Sequence, residues 1–338
     1  MASLIITGDL MEEMYLEWAR QARNAFEKDH GLRFDRVFRS VVVAGMGGSG
    51  IVGDVLATLA TLYSSTPVIT IKNHVLPHFV STDDLLLVVS YSGNTLETLR
   101  LFETGLRRKI PMTTVSSGGL LKEKSLEQGI PHVQLPKGLA PRASLPSMLY
   151  GILRILIDNG LFRTPPGMVE NSIIFLEKTV GKALAEAGLI AEWIHNAGGL
   201  LVISTHTPLE ALALRGKNEF NENAKIPVKI DVSPEWMHND IVGYESPFLK
   251  DFSILEIVDP DDKVGVSLVN FMERIYSRIT SKFYRLSLEG GNLLEKLMYG
   301  SLLLGLSSCK LARIRGLDPL RTLYIQEYKN EAESIFKD

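Results

Sequence analysis

Two loops in the first third of the chain combine residue types that hold a phosphate. Gly45-Met-Gly-Gly-Ser-Gly50 follows the apolar run Val41-Val-Val-Ala44, and Ser90-Tyr-Ser-Gly-Asn-Thr95 follows Leu85-Leu-Leu-Val-Val89. Helical spacing resumes after each loop. A short unbroken run of branched apolar residues reads as a strand buried on both faces of a parallel sheet, which puts both loops at strand C-termini. There the unpaired amides and the positive end of the next helix favour an anion, and glycine admits it close to the backbone. The hydroxyls of Ser49, Ser90, Ser92 and Thr95, with the amides of Gly47 and Gly48, fit a compact phosphomonoester bound without a lysine. Asn94-x-x-Glu97 reads as a capping box that opens the helix after the second loop.

Gly45, Gly47 and Gly50 also satisfy G-x-G-x-x-G, so a dinucleotide has to be weighed. An NAD site calls for an acidic residue at the end of the second strand to hold the ribose. Thr70-Ile-Lys-Asn73 offers none, and Lys72 leaves an NADP 2′-phosphate as the dinucleotide alternative. No Gly-Lys-Ser/Thr follows the glycines, which excludes a P-loop.

Loops of this kind need a sheet to position them, and the chain alternates accordingly. Strands are expected at 40–44, 67–72, 85–90, 112–116 and 132–135, and helices at 50–62, 95–107 and 119–127. That rhythm implies an α/β layer with right-handed crossovers. Asp9-Leu-Met-Glu12 reads as a capping box for a lead-in helix ending near Gly31. After a helix at 147–157, Arg163-Thr-Pro-Pro-Gly167 is the expected linker between domains at 1–162 and 163–338. The second half repeats the pattern, with strands at 200–203, 227–230, 253–258 and 283–288. Its first loop, Ser204-Thr-His-Thr-Pro208, has hydroxyls and no glycine, which disfavours close approach of a phosphate there.

The composition fits two ordinary globular domains: 338 residues, 45% hydrophobic, 22% charged. A net charge of −3 provides no general attraction for nucleic acid or an anionic membrane, so neither is expected as a partner. Asp9, Glu12 and Glu13 stand where a signal peptide would be basic and then apolar, and a cytoplasmic protein is expected. The single cysteine, Cys309, rules out an intrachain disulfide and reads as core filling. The seven histidines show no ligand spacing, so neither a metal nor another cofactor is expected.

Five segments in order, Gly45-Met-Gly-Gly-Ser-Gly-Ile-Val-Gly-Asp54, Ser90-Tyr-Ser-Gly-Asn-Thr95, Pro141-Arg-Ala143, Asn218-Glu-Phe-Asn-Glu-Asn-Ala-Lys225 and His238-Asn-Asp-Ile-Val-Gly243, span nearly the whole chain. Together they resemble the bifunctional phosphoglucose/phosphomannose isomerase family. The resemblance implies an α/β fold of two doubly wound parallel-sheet sugar-isomerase (SIS) domains flanked by helices. It further implies a homodimer and aldose–ketose isomerisation of hexose 6-phosphates. Glu222 matches the family's base, with Glu219 one turn earlier assigned a structural role. Arg142 matches the arginine that stabilises an enediolate. His238 matches the ring-opening histidine, which the partner subunit donates. Lys329 matches a lysine of the closing helix, and Thr322 is the small residue that would leave room to rotate the C1–C2 fragment. Two departures, Gly216 after Arg215 and Met237 before His238, remove none of these groups. A sugar-phosphate sensor without chemistry is the competing expectation.

Overall fold

The computed structural model describes residues 10–248 and 251–337, which form two compact units. The first comprises Glu17–Ile173 and residues 322–337. The second comprises residues 10–16 and Ile174–Arg321. The Arg163–Gly167 segment lies inside the first unit, and the chain passes between units at Ile173 and Ile174.

The first unit is built on a parallel sheet of β1 (Val41–Ala44), β2 (Val68–Ile71), β3 (Leu85–Val89), β4 (Met112–Ser116) and β5 (His132–Gln134), in the order β2-β1-β3-β4-β5. Val41 stands between Val68 and Leu85. Every residue of β1 and β3 is buried, as branched apolar runs covered on both faces must be. Helices α1 (Trp18–Phe26), α2 (Gly47–Tyr63), α3 (Leu96–Arg107), α4 (Gly119–Glu127) and α5 (Leu145–Asp158) belong to this unit, with a 3₁₀ turn at Pro141–Ser144. Val42, Leu86, Val88, Phe102 and Met112 form part of the core between sheet and helices. Successive strands are added first on one side of β1 and then on the other, so the crevice between the C-terminal ends of β1 and β3 is the sheet's switch point, where open α/β sheets bind ligands.

The second unit repeats the plan with β6 (Leu200–His206), β7 (Val228–Ser233), β8 (Phe252–Val258) and β9 (Phe283–Ser287), in the parallel order β7-β6-β8-β9. Its helices are α6 (Met168–Ala197), which enters from the first unit, α7 (Glu210–Glu222), α8 (Lys263–Tyr276) and α9 (Leu293–Ile314). Cys309 is buried on α9.

The ends of the chain depart from the expected arrangement. Asp9 of the proposed capping box lies outside the described residues. Helical residues 10–16 are separated from α1 by a turn at Glu17, so the lead-in is two pieces in different units. Tyr15 is anchored in the second: its hydroxyl donates to Glu219, and a Cβ on Gly305 would fall 2.3 Å from its ring. Trp18 is anchored in the first, donating to the Ala143 carbonyl at 2.9 Å. Among the described residues, no helix is long and apolar enough to cross a membrane.

Candidate active site

In the first unit, the residues expected to hold a phosphate converge on the switch point. Gly47 and Gly48 open α2, and helix geometry leaves their amides without a carbonyl one turn earlier. Gly47 has φ +52°, a left-handed conformation that glycine adopts without penalty. Ser49 ties the loops together, because its hydroxyl oxygen accepts the Tyr91 amide at 3.0 Å. In the second loop Ser90 accepts the Gly93 amide at 3.1 Å and donates to Thr95 at 3.1 Å, and Ser92 accepts the Asn94 amide at 3.2 Å. A hydroxyl oxygen that accepts an amide keeps its own proton for an anion, so Ser49 and Ser92 are preset as donors.

The expected capping box after this loop is not formed. Thr95, not Asn94, is the N-cap of α3, and its side chain makes no capping bond. Asn94 instead accepts the Leu120 amide at 2.9 Å, binding the second loop to the start of α4. Glu97 accepts the Tyr328 hydroxyl. Residues Gly118 and Gly119 form a third loop that sequence reasoning passed over, although it follows β4 and precedes a helix as the other two do. A Cβ on Gly93 would fall 1.8 Å from the Gly118 carbonyl oxygen, so two glycine loops meet where no side chain fits.

Arg142 is 5% exposed and sits in the Pro141–Ser144 turn, directly against the start of α2. A Cβ on Gly48 would fall 2.9 Å from the Pro141 carbonyl oxygen and 3.0 Å from the Arg142 amide. Glycine at 48 is thus what lets the arginine turn close onto the first glycine loop. Tyr91 braces the approach to that turn: its hydroxyl donates to the Pro136 carbonyl at 2.9 Å and accepts the Leu139 amide at 2.8 Å.

The C-terminal helix (Leu323–Ile335) joins the same unit. The Tyr328 hydroxyl donates to Glu97 in the first turn of α3, and that bond holds its phenol up to about 12. Arg100 donates to the Phe336 carbonyl at 2.7 Å. The helix is thereby anchored to α3, which follows the second hydroxyl loop. Lys329 follows Tyr328 and is exposed. Thr322 is half-buried and is the N-cap, just outside the helix. The sequence spacing, seven residues before Lys329, would put Thr322 on the same helical face as the lysine, but its φ of −134° and ψ of 73° are not helical. Lys72, the residue proposed for a 2′-phosphate, is ion-paired with Asp54.

Glu222 and His238 belong to the second unit. Glu222 is the last residue of α7, half-buried, and its carbonyl accepts the Lys225 ammonium. The next residue is fixed firmly. Asn223 donates to Glu219 at 2.9 Å and to Ser308 at 2.8 Å. Glu219 is fully buried and ion-paired with Arg215, itself 1% exposed. A buried carboxylate needs such a partner to stay charged, and here the pair anchors the helix end that presents Glu222.

His238 closes the 3₁₀ turn Glu235–His238 and is exposed. Trp236 is fully buried two residues earlier, with ring centroids 5.6 Å from Tyr244 and 5.3 Å from Tyr276. Both phenols donate to buried Asp231 at 2.7 Å. Burial, with the Asp231 charge beside them, pushes both phenols up and keeps them protonated as donors. Trp236 and Tyr244 are therefore the packing that holds the histidine turn.

The switch point of the second sheet is filled by the chain itself. His206 ends β6, and a Cβ on Gly265 at the start of α8 would fall 2.2 Å from its ring. Asp262 caps α8 through the Val264 and Gly265 amides, and nearly buried Lys296 holds Asp259 and Asp261 at 2.6 Å each. Side-chain carboxylates thus stand at the helix start that a phosphate would otherwise use.

Residues 184–331 match the family described as the bacterial phospho-glucose isomerase C-terminal SIS domain. The chain is 32% identical over 326 residues to the bifunctional phosphoglucose/phosphomannose isomerase of Aquifex aeolicus, covering 95% of this chain and 98% of that one. It is 31% identical over 314 residues to the D-glucosamine-6-phosphate 4-epimerase of Sulfolobus acidocaldarius, covering 89% and 91%. Among solved structures, the C-terminal domain of glucosamine-fructose-6-phosphate aminotransferase from Francisella tularensis shares the fold at TM-score 0.70 and 14% identity, over 90% of this chain and 96% of that one.

Proposed function

This chain belongs to the bifunctional phosphoglucose/phosphomannose isomerase family, and we propose on that premise that it interconverts glucose 6-phosphate and mannose 6-phosphate with fructose 6-phosphate, through a cis-enediolate and without a cofactor. The observation that carries the reading is the Arg142 turn closed onto the first glycine loop at Gly48, which brings the arginine's main chain against the proposed anchor of the anion.

The hydroxyls of Ser49, Ser90, Ser92 and Thr95 and the amides of Gly47 and Gly48 hold the phosphate and fix the sugar's distance from the groups that react. His238 moves a proton between the ring oxygen and the anomeric hydroxyl, a task for which an imidazole offers one nitrogen that donates and one that accepts. Lys329 assists by orienting the sugar oxygen. Glu222 then carries a proton between C2 and C1 on one face of the open chain, while Arg142 stabilises the negative oxygen that forms. The hydroxyl-sized side chain of Thr322 leaves the C1–C2 fragment room to turn, so that one base serves both epimers.

The test is a coupled assay on metal-free protein, supplied with glucose 6-phosphate or mannose 6-phosphate and monitored for fructose 6-phosphate. Turnover of both is expected. Silence with both would replace the isomerase by a sugar-phosphate sensor. The 4-epimerase relative supports a second reading, so glucosamine 6-phosphate is assayed alongside; activity on it alone would overturn the isomerase.

The proposed assembly is an isologous homodimer in which His238 completes the partner's site. Co-expressed Glu222→Gln and His238→Ala subunits then recover activity, because each mixed dimer contains one site with both residues intact. About a quarter of the unaltered activity is expected from random pairing. Failure to exceed the activity of the separate variants would place both residues in one subunit's site.

A further inference from the structure

Two charges beside the phosphate loops have no part in the scheme above. Lys72 follows the end of β2, and the preceding residue, Ile71, accepts the Gly45 amide at 3.1 Å, so the lysine starts alongside the first loop. Its side chain then crosses Gly50. A Cβ there would fall 3.1 Å from Lys72 Cε and 3.2 Å from Cγ, which makes that glycine a groove for the lysine stem. The ammonium is ion-paired with Asp54, one turn further along α2, with side chains 32% and 19% exposed. The two phosphate loops themselves contain no lysine or arginine.

We propose that the Asp54–Lys72 ion pair sets the phosphate affinity of this site by holding the lysine's charge about two helical turns behind the start of α2. The inference rests on the phosphate-site reading above. A lone cation at the loop would attract the anion strongly, whereas a cation paired with a carboxylate has a field that falls off much faster. Such restraint suits an enzyme, since phosphate binding that is equally strong in substrate and product adds nothing to the chemical step and slows release. Asp54 is the restraining member, and Lys72 is a positioning residue that offsets the carboxylate's repulsion of the anion.

The experiment is calorimetric titration with inorganic phosphate at low ionic strength. Asp54→Asn leaves Lys72 unrestrained and is expected to tighten phosphate binding about tenfold, and Lys72→Met leaves Asp54 uncompensated and is expected to weaken it by about the same factor. The double variant returns to within about twofold of the unaltered protein, and both single effects shrink in 0.5 M salt. Should Lys72→Met fail to fold, Asp54→Asn decides by its sign. Shifts in the same direction, or an Asp54→Asn protein that binds no more tightly, overturn the inference while leaving the phosphate site standing. No phosphate binding by the unaltered protein overturns both.

Discussion

Glu222→Gln is expected to lower turnover of glucose 6-phosphate and mannose 6-phosphate about 1,000-fold, with substrate binding changed by no more than a few fold. The amide has the carboxylate's shape and cannot take the C2 proton. The helix end that presents it is held independently of residue 222: Asn223 is tied to Glu219 and Ser308, and Glu219 is ion-paired with Arg215. The substitution therefore removes a proton acceptor without moving its frame. Rapid-quench or steady-state assay of both substrates checks it. Turnover within tenfold of the unaltered protein would remove Glu222 from proton transfer and return attention to the rest of the Asn218–Lys225 segment.

Arg142→Met is expected to cost about 100-fold to 1,000-fold in kcat, the range seen when a single stabiliser of a developing oxyanion is lost. Its main chain is fixed by contacts that the side chain does not make: the Gly48 backbone on one side, the Trp18 bond to the Ala143 carbonyl on the other. Methionine keeps much of the stem and deletes the charge. Because the charge matters most once the enediolate forms, KM is expected to change by no more than about threefold. A variant with normal kcat and a strongly raised KM would reassign Arg142 from the sugar end to the phosphate.

Much of the architecture is legible in the chain. β4 and α4 fall at 112–116 and 119–127 as expected, and β1 and β3 lie within a residue of their expected ends. These elements are announced by apolar runs and by glycine and hydroxyl punctuation within a few residues. The hydroxyl loops were legible for the same reason. The capping box at Asn94 and Glu97 was misread because the same four residues suit two uses. A local cap competed with bonds to Leu120 and Tyr328, and the tertiary partners won both side chains. The lead-in helix was misread for a related reason. Its apolar spacing is continuous, but Tyr15 and Trp18 find their cavities in different units.

The sequence by itself determined the parallel α/β alternation, the two glycine- and hydroxyl-rich loops and the residue types available at the candidate site. Those properties depend on neighbours a few positions apart, where strand and helix periodicity and turn chemistry operate. Only the tertiary structure decided that Lys72 pairs with Asp54 across 18 positions, that Asn94 binds the start of α4 across 26, and that the C-terminal helix is tied to α3 across 231. It also decided that His206 fills the second sheet's switch point against Gly265. The physical reason is that a polar side chain takes whichever partner the packed fold brings within hydrogen-bonding reach, and burial makes leaving it without one costly, while nothing in its immediate sequence records which partner that is.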